Sequence, residues 1–543
     1  MVKYDQEIAT PTSYEEAISG PQKEQWKAAI NEEKQSLESN AVWELVIAPK
    51  GANIVSCKWV FKIKRLPDGQ IDRYKARLVA RGFSQQYGVD YDETFAPVVR
   101  METLRILLAI AAAENLEIHQ MDVITAYLAG ELKEEIYMTP PPGVPGTEGL
   151  VCRLLKGLYG LKQSARVWNQ RLTGELKRVG LRATTADPSV WVSKDRGLIL
   201  ALYVDDIVLI AREIQELRRA KAALTQVFKM KDLGEIQNVL GLRVQRHRAT
   251  RRLWVDQTHY IEDVLREFGH LDCKPVSTPA DGYENLQKPI AQGTLFADTT
   301  TYQRALGQLN WLVRGTRPDL AFVVHKLSQF CHQPCASHWA GVRRVFRYLN
   351  YSKHLRLCYG GDSQEIALTG YSDSDYAGDA TDRRSTMGYV FLLHGAAVTW
   401  AARKQQSIST STTEAEYVGL CNAAKEVVWL RNLLRDLGRE YYAGGEHAMR
   451  IYSDNQGALR LTGNPEFHSR SKHIDVQYHY VRELKEAGVI EVEYVPTEEM
   501  AADCLTKPLK RQKFTENLKM VGLYEDTHSN RQTQPHAEWE CCG

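Results

Sequence analysis

The chain lacks an excess of charge of either sign. Its 69 lysines and arginines are balanced by 67 aspartates and glutamates, leaving +2 over 543 residues. Any surface for a polyanion is therefore local, and a globally basic nucleic-acid coat is excluded. There is no apolar run near the ~20 residues that a membrane-crossing helix needs; the longest candidate, Leu104–Ala113, reads as a buried helix. No paired cysteine framework exists either. The ten cysteines are scattered, a pattern of reducing compartments and not of disulfide-stapled secreted folds. The polar opening Met1-Val-Lys-Tyr-Asp-Gln-Glu does not read as a secretory signal. Cys331-His332-Gln-Pro-Cys335-Ala-Ser-His338 contains ligand-type residues, but no second cluster follows at finger spacing, so it is not read as a zinc site. What remains is a globular composition, 43% hydrophobic and 25% charged, with length for about three or four domains.

Within that ordinary composition one stretch stands out: Leu198-Ile-Leu-Ala-Leu-Tyr-Val-Asp205-Asp206-Ile-Val-Leu-Ile-Ala211. The apolar flanks predict two buried strands, and the aspartates between them the turn of a hairpin. Adjacent carboxylates amid so much apolar surface are costly unless cations neutralise them. A pair of divalent metals would do so, as in phosphoryl-transfer enzymes; the alternative is a surface hairpin with an acidic turn. Upstream, Gln120-Met-Asp122-Val-Ile-Thr-Ala-Tyr127 predicts a strand ending near Asp122, a third carboxylate for the same site.

These segments resemble the palm of a reverse transcriptase from a copia-type LTR retrotransposon Pol polyprotein, with Tyr203-Val-Asp-Asp206 as its motif. The resemblance implies that Asp122, Asp205 and Asp206 are catalytic, metal-binding carboxylates. It also implies that Tyr127 lies under the sugar, where a ring would collide with a 2′-hydroxyl; a core tyrosine is the alternative. Ser13–Glu38 predicts an amphipathic helix, and strands at Val42–Ile47, Val55–Lys64 and Ile71–Arg81 follow, the last two joined by the Pro67-Asp68-Gly69 turn. The arms carry Lys58, Lys62, Lys64, Arg65, Arg73, Lys75, Arg77 and Arg81. In family terms this hairpin is the fingers, and Lys75, Arg77 and Arg81 are the candidates for holding an incoming triphosphate. Lys156-Gly-Leu-Tyr-Gly160-Leu-Lys162-Gln163-Ser-Ala-Arg166-Val-Trp168 resembles the loop and helix behind the nucleotide, with Gln163 as its contact. Farther on, Arg343, Arg344, Arg347, Lys353 and Arg356 form a basic stripe, read as a track for a duplex backbone.

The last unit reads strand, strand, strand, helix, strand, helix, strand, helix, with acids near four junctions, and resembles an RNase H domain. The resemblance implies that Asp373, Glu416, Asp454 and Asp503 bind two magnesium ions, since all donors are hard oxygens; manganese is the alternative ion. Glu414 competes with Glu416, because Ser411/Glu414 and Thr413/Glu416 both fit a capping box. The family pattern, Glu followed by Tyr-Val-Gly-Leu, favours Glu416. Val495-Pro-Thr-Glu-Glu lacks the histidine that some RNase H enzymes carry there; His473 is available, though a lone histidine at a helix start is more often structural.

The fold class expected is a multidomain α/β and α+β chain: a right-hand polymerase, a helical connection and an RNase H-like α/β domain. The expected boundaries are 1–40 for a helical lead-in, 41–280 for fingers, palm and thumb, 281–363 for the connection, 364–510 for the RNase H-like domain, and 511–543 for a C-terminal helix and a disordered tail. The expected activity is RNA- and DNA-templated DNA synthesis with RNase H cleavage. Its partners would be an RNA template, a DNA primer, RNA–DNA hybrid and dNTPs, with integrase and capsid proteins of the same element as further partners and no membrane. The expected location is intracellular: cytoplasmic virus-like particles, with nuclear entry, and no secretion. No Asp-Ser/Thr-Gly protease signature, integrase His-His-Cys-Cys cluster or zinc knuckle is found, so the chain is expected to be the C-terminal part of the polyprotein. The rival reading is a co-opted or decayed relic that only binds nucleic acid. All seven expected carboxylates stand in place, which weighs against decay.

Overall fold

The computed structural model describes residues 9–65, 70–283, 286–287, 294–361, 366–463 and 472–525, without the side chains of 472–476 and 478. The Pro67-Asp68-Gly69 turn, the side chain of His473 and the tail from 526 onward thus lie outside the described residues. Among the described residues no helix is long and apolar enough to cross a membrane.

The N-terminal amphipathic segment folds as two helices, Tyr14–Ser19 and Lys23–Ser39, instead of one. Gly20-Pro21 separates them, because proline restricts the residue before it and has no N–H to give to the preceding turn. The second helix buries Trp26, whose ring meets Phe61 at 5.2 Å and Tyr74 at 4.8 Å. Those two rings belong to a long antiparallel hairpin, Cys57–Arg65 with Ile71–Ala80. Trp59, Phe61, Ala76 and Leu78 share its buried face. The register pairs Lys62 with Lys75, Lys64 with Arg73 and Val60 with Arg77, so the basic residues share the opposite face.

A six-stranded antiparallel sheet forms the centre, in the order Met230–Glu235, Glu117–Val123, Asp206–Ala211, Leu198–Tyr203, Val190–Val192, Arg182–Ala183. One face packs Met121, Ile207 and Leu209 with Trp168, Leu172 and Leu224 of the helices Ser164–Arg178 and Ile214–Val227. The other packs Ile118, Val208 and Ile210 into a core shared with the helix Met101–Ala113. Burial on both faces explains why these strands read as continuous apolar runs.

Met101–Ala113 is buried on nearly every side, from Met101 to Ala112. Beyond the central sheet it touches strands Arg252–Asp256 and Leu355–Gly360 of a second sheet and Ala396–Lys404 of a third. The second sheet runs Asn238–Val239, Leu242–His247, Arg252–Asp256, Leu355–Gly360, Leu523–Glu525, so it gathers strands from widely separated parts of the chain. The strand Leu523–Glu525 takes the first residues of what composition marks as tail into a sheet edge beside Leu355–Leu357. The third sheet runs Ala396–Lys404, Thr386–Leu393, Thr369–Ser374, Met449–Ser453, Ile490–Tyr494; the first three are antiparallel and the last two join in parallel. The long helix Thr412–Asp436 packs across it.

Candidate functional sites

The acidic hairpin turns on two residues. Tyr203 pairs with Asp206, leaving Val204 and Asp205 as the loop. Val204 has φ 57°, a left-handed conformation that a β-branched residue adopts only under constraint. Two contacts hold it: Trp168 Nε1 donates to Val204 O at 2.7 Å, and the N–H of Val123 donates to Asp205 O at 3.0 Å. The next strand pair sets Asp206 directly opposite Asp122, and on the other side of Asp122 stands Lys231. Directly opposed residues point to the same face.

Burial raises the Asp122 carboxyl above its usual range, and the charge of Asp205 adds to the effect; Lys75, Lys231 and Arg77 oppose it. Asp206 is also raised by burial, although Gln120 Nε2 donates to its Oδ1 at 2.9 Å. The basic face of the long hairpin thus acts on this acidic cluster. Arg77 lies over the ring of Tyr159 at 4.6 Å, and Tyr159 meets Tyr127 edge-on at 5.1 Å. Both tyrosine hydroxyls are raised by burial, with the charge of Asp205 contributing. Lys75 is held below its usual range by burial and by the neighbouring Arg77 and Arg73.

Three sequence expectations change here. Gln163 is not presented to a nucleotide: it is 1% exposed, its carbonyl accepts from Gln85 Nε2 at 3.0 Å, and its amide donates to Asp90 O at 2.7 Å. It fastens the 85–90 loop instead. The basic stripe is also largely engaged within the protein. Arg344 donates to Thr278 Oγ1 at 3.0 Å, Arg347 to Lys274 O at 2.8 Å, and Arg356 is 6% exposed beside Asp256 and Gln245. Of that stripe only Arg343 is fully exposed. Arg81 is exposed at the base of the hairpin, where its charge acts on Cys57. His338 caps its own helix, accepting from the N–H of Cys335 at 3.0 Å.

The second acidic centre is tighter. Asp373 lies in Thr369–Ser374, Glu416 in the second turn of Thr412–Asp436, and Asp454 just past Met449–Ser453. One carboxylate oxygen from each lies within 4.8 Å of the others, the one such group of three or more potential ligands among the described residues. Asp122, Asp205 and Asp206 do not gather so closely, and Asp503 stands outside the trio. Burial pushes the Asp373 carboxyl up to about 6 and raises Glu416 well above its ordinary range, each reinforced by neighbouring carboxylates. Glu416 Oε2 is buried with no hydrogen-bond partner among the described residues. A hard divalent cation fits this trio: three oxygen donors, mutual repulsion and an orphaned buried oxygen. Asp122, Asp205 and Asp206 share the donor chemistry and the repulsion, but not the close grouping.

Glu414 and Glu416 have separate jobs. Glu414 Oε2 accepts from Thr410 N at 2.8 Å and Thr410 Oγ1 at 2.6 Å, while Ser411 Oγ accepts from the N–H of Glu414 at 3.1 Å. Glu414 therefore closes the helix start and Glu416 faces the trio. Asp503 is ion-paired to Lys507 at 2.7 Å and to Lys513 at 3.7 Å. Nothing in the local sequence spacing of Lys231, Tyr159 and Trp168 marks them as neighbours of an acidic site, whereas Lys507 follows Asp503 at the i,i+4 spacing that could have flagged it.

The family model described as reverse transcriptase (RNA-dependent DNA polymerase) matches residues 40–281. A retrovirus-related Pol polyprotein from transposon TNT 1-94 of Nicotiana tabacum is 40% identical over 532 residues, covering 96% of this chain and 39% of that protein. The corresponding polyprotein from transposon RE2 of Arabidopsis thaliana is 37% identical over 96% of this chain and 35% of its own length. The chain thus spans well under half of either polyprotein. A putative transposon Ty5-1 protein of Saccharomyces cerevisiae is 33% identical over 314 residues, 56% of this chain and 100% of that protein.

Proposed function

The chain belongs to the reverse transcriptase family of copia-type retrotransposon Pol polyproteins, and from that premise we propose that it is an RNA- and DNA-templated DNA polymerase joined to an RNase H. The observation that carries the polymerase reading is the register that sets Asp206 opposite Asp122, with Asp205 in the turn, beside the basic face bearing Lys75 and Arg77. In this reading the central sheet is the palm and the long hairpin belongs to the fingers.

Asp122, Asp205 and Asp206 would hold the ions of the polymerase centre, and Asp373, Glu416 and Asp454 an ion of the nuclease centre. When bound, hard divalent ions such as magnesium supply charge neutralisation for the reacting phosphate and an acidified oxygen nucleophile. The protein's own groups do the rest. Lys75 and Arg77 offer cationic donors to a triphosphate, and Arg77 is braced on Tyr159, which restricts the rotamers it can take. Tyr127, held edge-on by Tyr159, puts a ring near Asp205, where a ribose 2′-hydroxyl would meet it. Trp168 and Val123 fix the turn so that Asp205 is positioned before substrate arrives. Gln163 serves by anchoring the 85–90 loop. An RNA–DNA hybrid would be recognised by backbone and 2′-hydroxyls, not by base edges.

Primer extension on an RNA template tests the reading, with RNA cleavage measured in parallel. Asp205→Asn should cut extension by at least about 10²-fold and leave hybrid cleavage intact. A folded wild type that binds hybrid but extends nothing would leave the relic reading standing.

A further inference from the structure

Resting on the nuclease reading above, we infer that the C-terminal acidic centre takes one divalent cation, at Asp373, Glu416 and Asp454, and that the Lys507 ammonium fills the place of a second between Asp373 and Asp503. Four carboxylates in this arrangement suggest two ions. The geometry divides them unequally. Asp373, Glu416 and Asp454 converge, and among the described residues Glu416 Oε2 is buried without a partner. Among those residues that half, at Glu416 and Asp454, lacks a paired cation.

The other half does not. Lys507 Nζ lies 2.7 Å from Asp503 Oδ1 and 3.6 Å from Asp373 Oδ2, bridging the two carboxylates. Thr506 Oγ1 donates to the same Asp373 Oδ2. The far oxygen of Asp503 faces Lys513 at 3.7 Å, and Lys513 Nζ also donates to the carbonyl oxygens of Thr497 and Glu498. Asp373 Oδ2 and Asp503 Oδ1 thus face the Lys507 ammonium and Asp503 Oδ2 faces Lys513, with Asp503 Oδ1 held, among the described residues, by the ion pair alone and by no well-formed hydrogen bond. The lysine is held in place by its setting. It follows the short helix Ala501–Leu505, packed against the strands of the third sheet, and precedes Pro508. Its side chain is 32% exposed while the carboxylates it bridges are 2% exposed, so the lysine covers the solvent side of two buried acids. A divalent ion at this place would have to displace an ammonium whose partners are themselves dehydrated. The lysine supplies a single charge and three donors where an ion would supply two charges and an octahedral shell.

Manganese binding to the full-length protein decides it, read as stoichiometry by calorimetry and as Mn–Mn coupling by electron paramagnetic resonance. Asp122→Asn with Asp205→Asn serves as background, so that only the C-terminal centre reports. One ion per chain and no Mn–Mn coupling are expected, with that ion lost in Glu416→Gln. Lys507→Met should raise the count from one to two and introduce coupling; Lys507→Arg should keep it at one. Two ions in the background protein, or one in a folded Lys507→Met, would overturn the inference. No ion at all would overturn the metal-dependent nuclease reading together with it. If Lys507→Met does not fold, the background count and the absence of coupling decide alone.

Discussion

At the scale of single residues, the polymerase-side cluster is a chain of aromatic and charged contacts in which each member limits the next. Arg77 sits on Tyr159, Tyr159 on Tyr127, and Tyr127 within the field of Asp205. Cation–π and edge-on ring contacts contribute about 0.5–2 kcal/mol each, too little to build the site but enough to select one rotamer. If Tyr127 excludes ribonucleotides, Tyr127→Ala should raise ribonucleotide incorporation relative to deoxyribonucleotide by about 10- to 10²-fold. Competitive single-nucleotide extension measures that ratio. An unchanged ratio with normal synthesis would make Tyr127 a packing residue.

At the scale of elements, the site depends on the angle between the basic hairpin and the loop that follows Lys156. The two meet at Gly160, which has φ +89°; a Cβ there would lie 2.1 Å from Ala80 O. The N–H of Ala80 donates to Tyr159 O at 2.8 Å, so the same close approach that needs glycine also places the ring that braces Arg77. Gly160→Ala combines strain in the left-handed region with a backbone clash. The hairpin should move by part of an ångström and lose its aim on the triphosphate. Misplacements of this size cost up to about 10²-fold in rate. The expected outcome is a raised KM for dNTPs and weaker extension, with hybrid cleavage unchanged, checked by steady-state kinetics on one template.

Over the whole molecule, Met101–Ala113 joins the two acidic centres through a shared core, and two polar residues on or beside it fix the joint. Arg105 is 1% exposed; its guanidinium donates to Val398 O at 2.8 Å, Arg314 O at 2.5 Å and Gly315 O at 2.8 Å, and lies over the Trp400 ring at 3.8 Å. One side chain thereby satisfies carbonyls from a helix end and from the third sheet. Arg105→Ala strands those carbonyls and should destabilise the chain by about 3–5 kcal/mol. Because the joint serves both centres, extension and cleavage should fall together, and thermal unfolding beside both assays tests this.

Glu114 makes the second tie, accepting from Arg439 at 2.9 and 3.1 Å and from Tyr441 at 2.6 Å. Beside it, His394 is 7% exposed, packs edge-on to Tyr442 at 4.9 Å, and is pushed down to about 4 by burial, with Glu114 opposing. The folded state therefore refuses a proton that the unfolded chain accepts below pH 6.5. Stability from this group is complete above 6.5 and is lost as pH falls toward 4, about 3 kcal/mol in all. Asp373, raised to about 6, works in the opposite direction between pH 4 and 6. The comparison of wild type with His394→Asn isolates the histidine: the variant should lose less stability on acidification, read as the pH dependence of denaturant midpoints.

Much of this was written locally. Alternating and continuous apolar runs give the strands, the helix around Leu420–Leu437 follows from its period, and short-range spacing places the turn at the aspartate pair, because such patterns act through neighbours along the chain. The structure keeps only Asp205 in that turn and gives Asp206 to the second strand. The resemblance to family motifs is what proposes roles for Asp122, Asp373, Glu416, Asp454 and Asp503. Other assignments depended on partners far away in sequence. Gln163 looks like a contact until Gln85 and Asp90 fold onto it, and Arg356 looks like a phosphate ligand until Asp256 and Gln245 bury it. Capping arithmetic cannot choose between Glu414 and Glu416; the position of Thr410 and the convergence of three elements do. The sequence by itself determined which side chains carry charge and which elements carry them. Only the tertiary structure decided which charges meet, because burial and pairing are properties of surfaces brought together across hundreds of residues, and those set both the cost of a charge and its use.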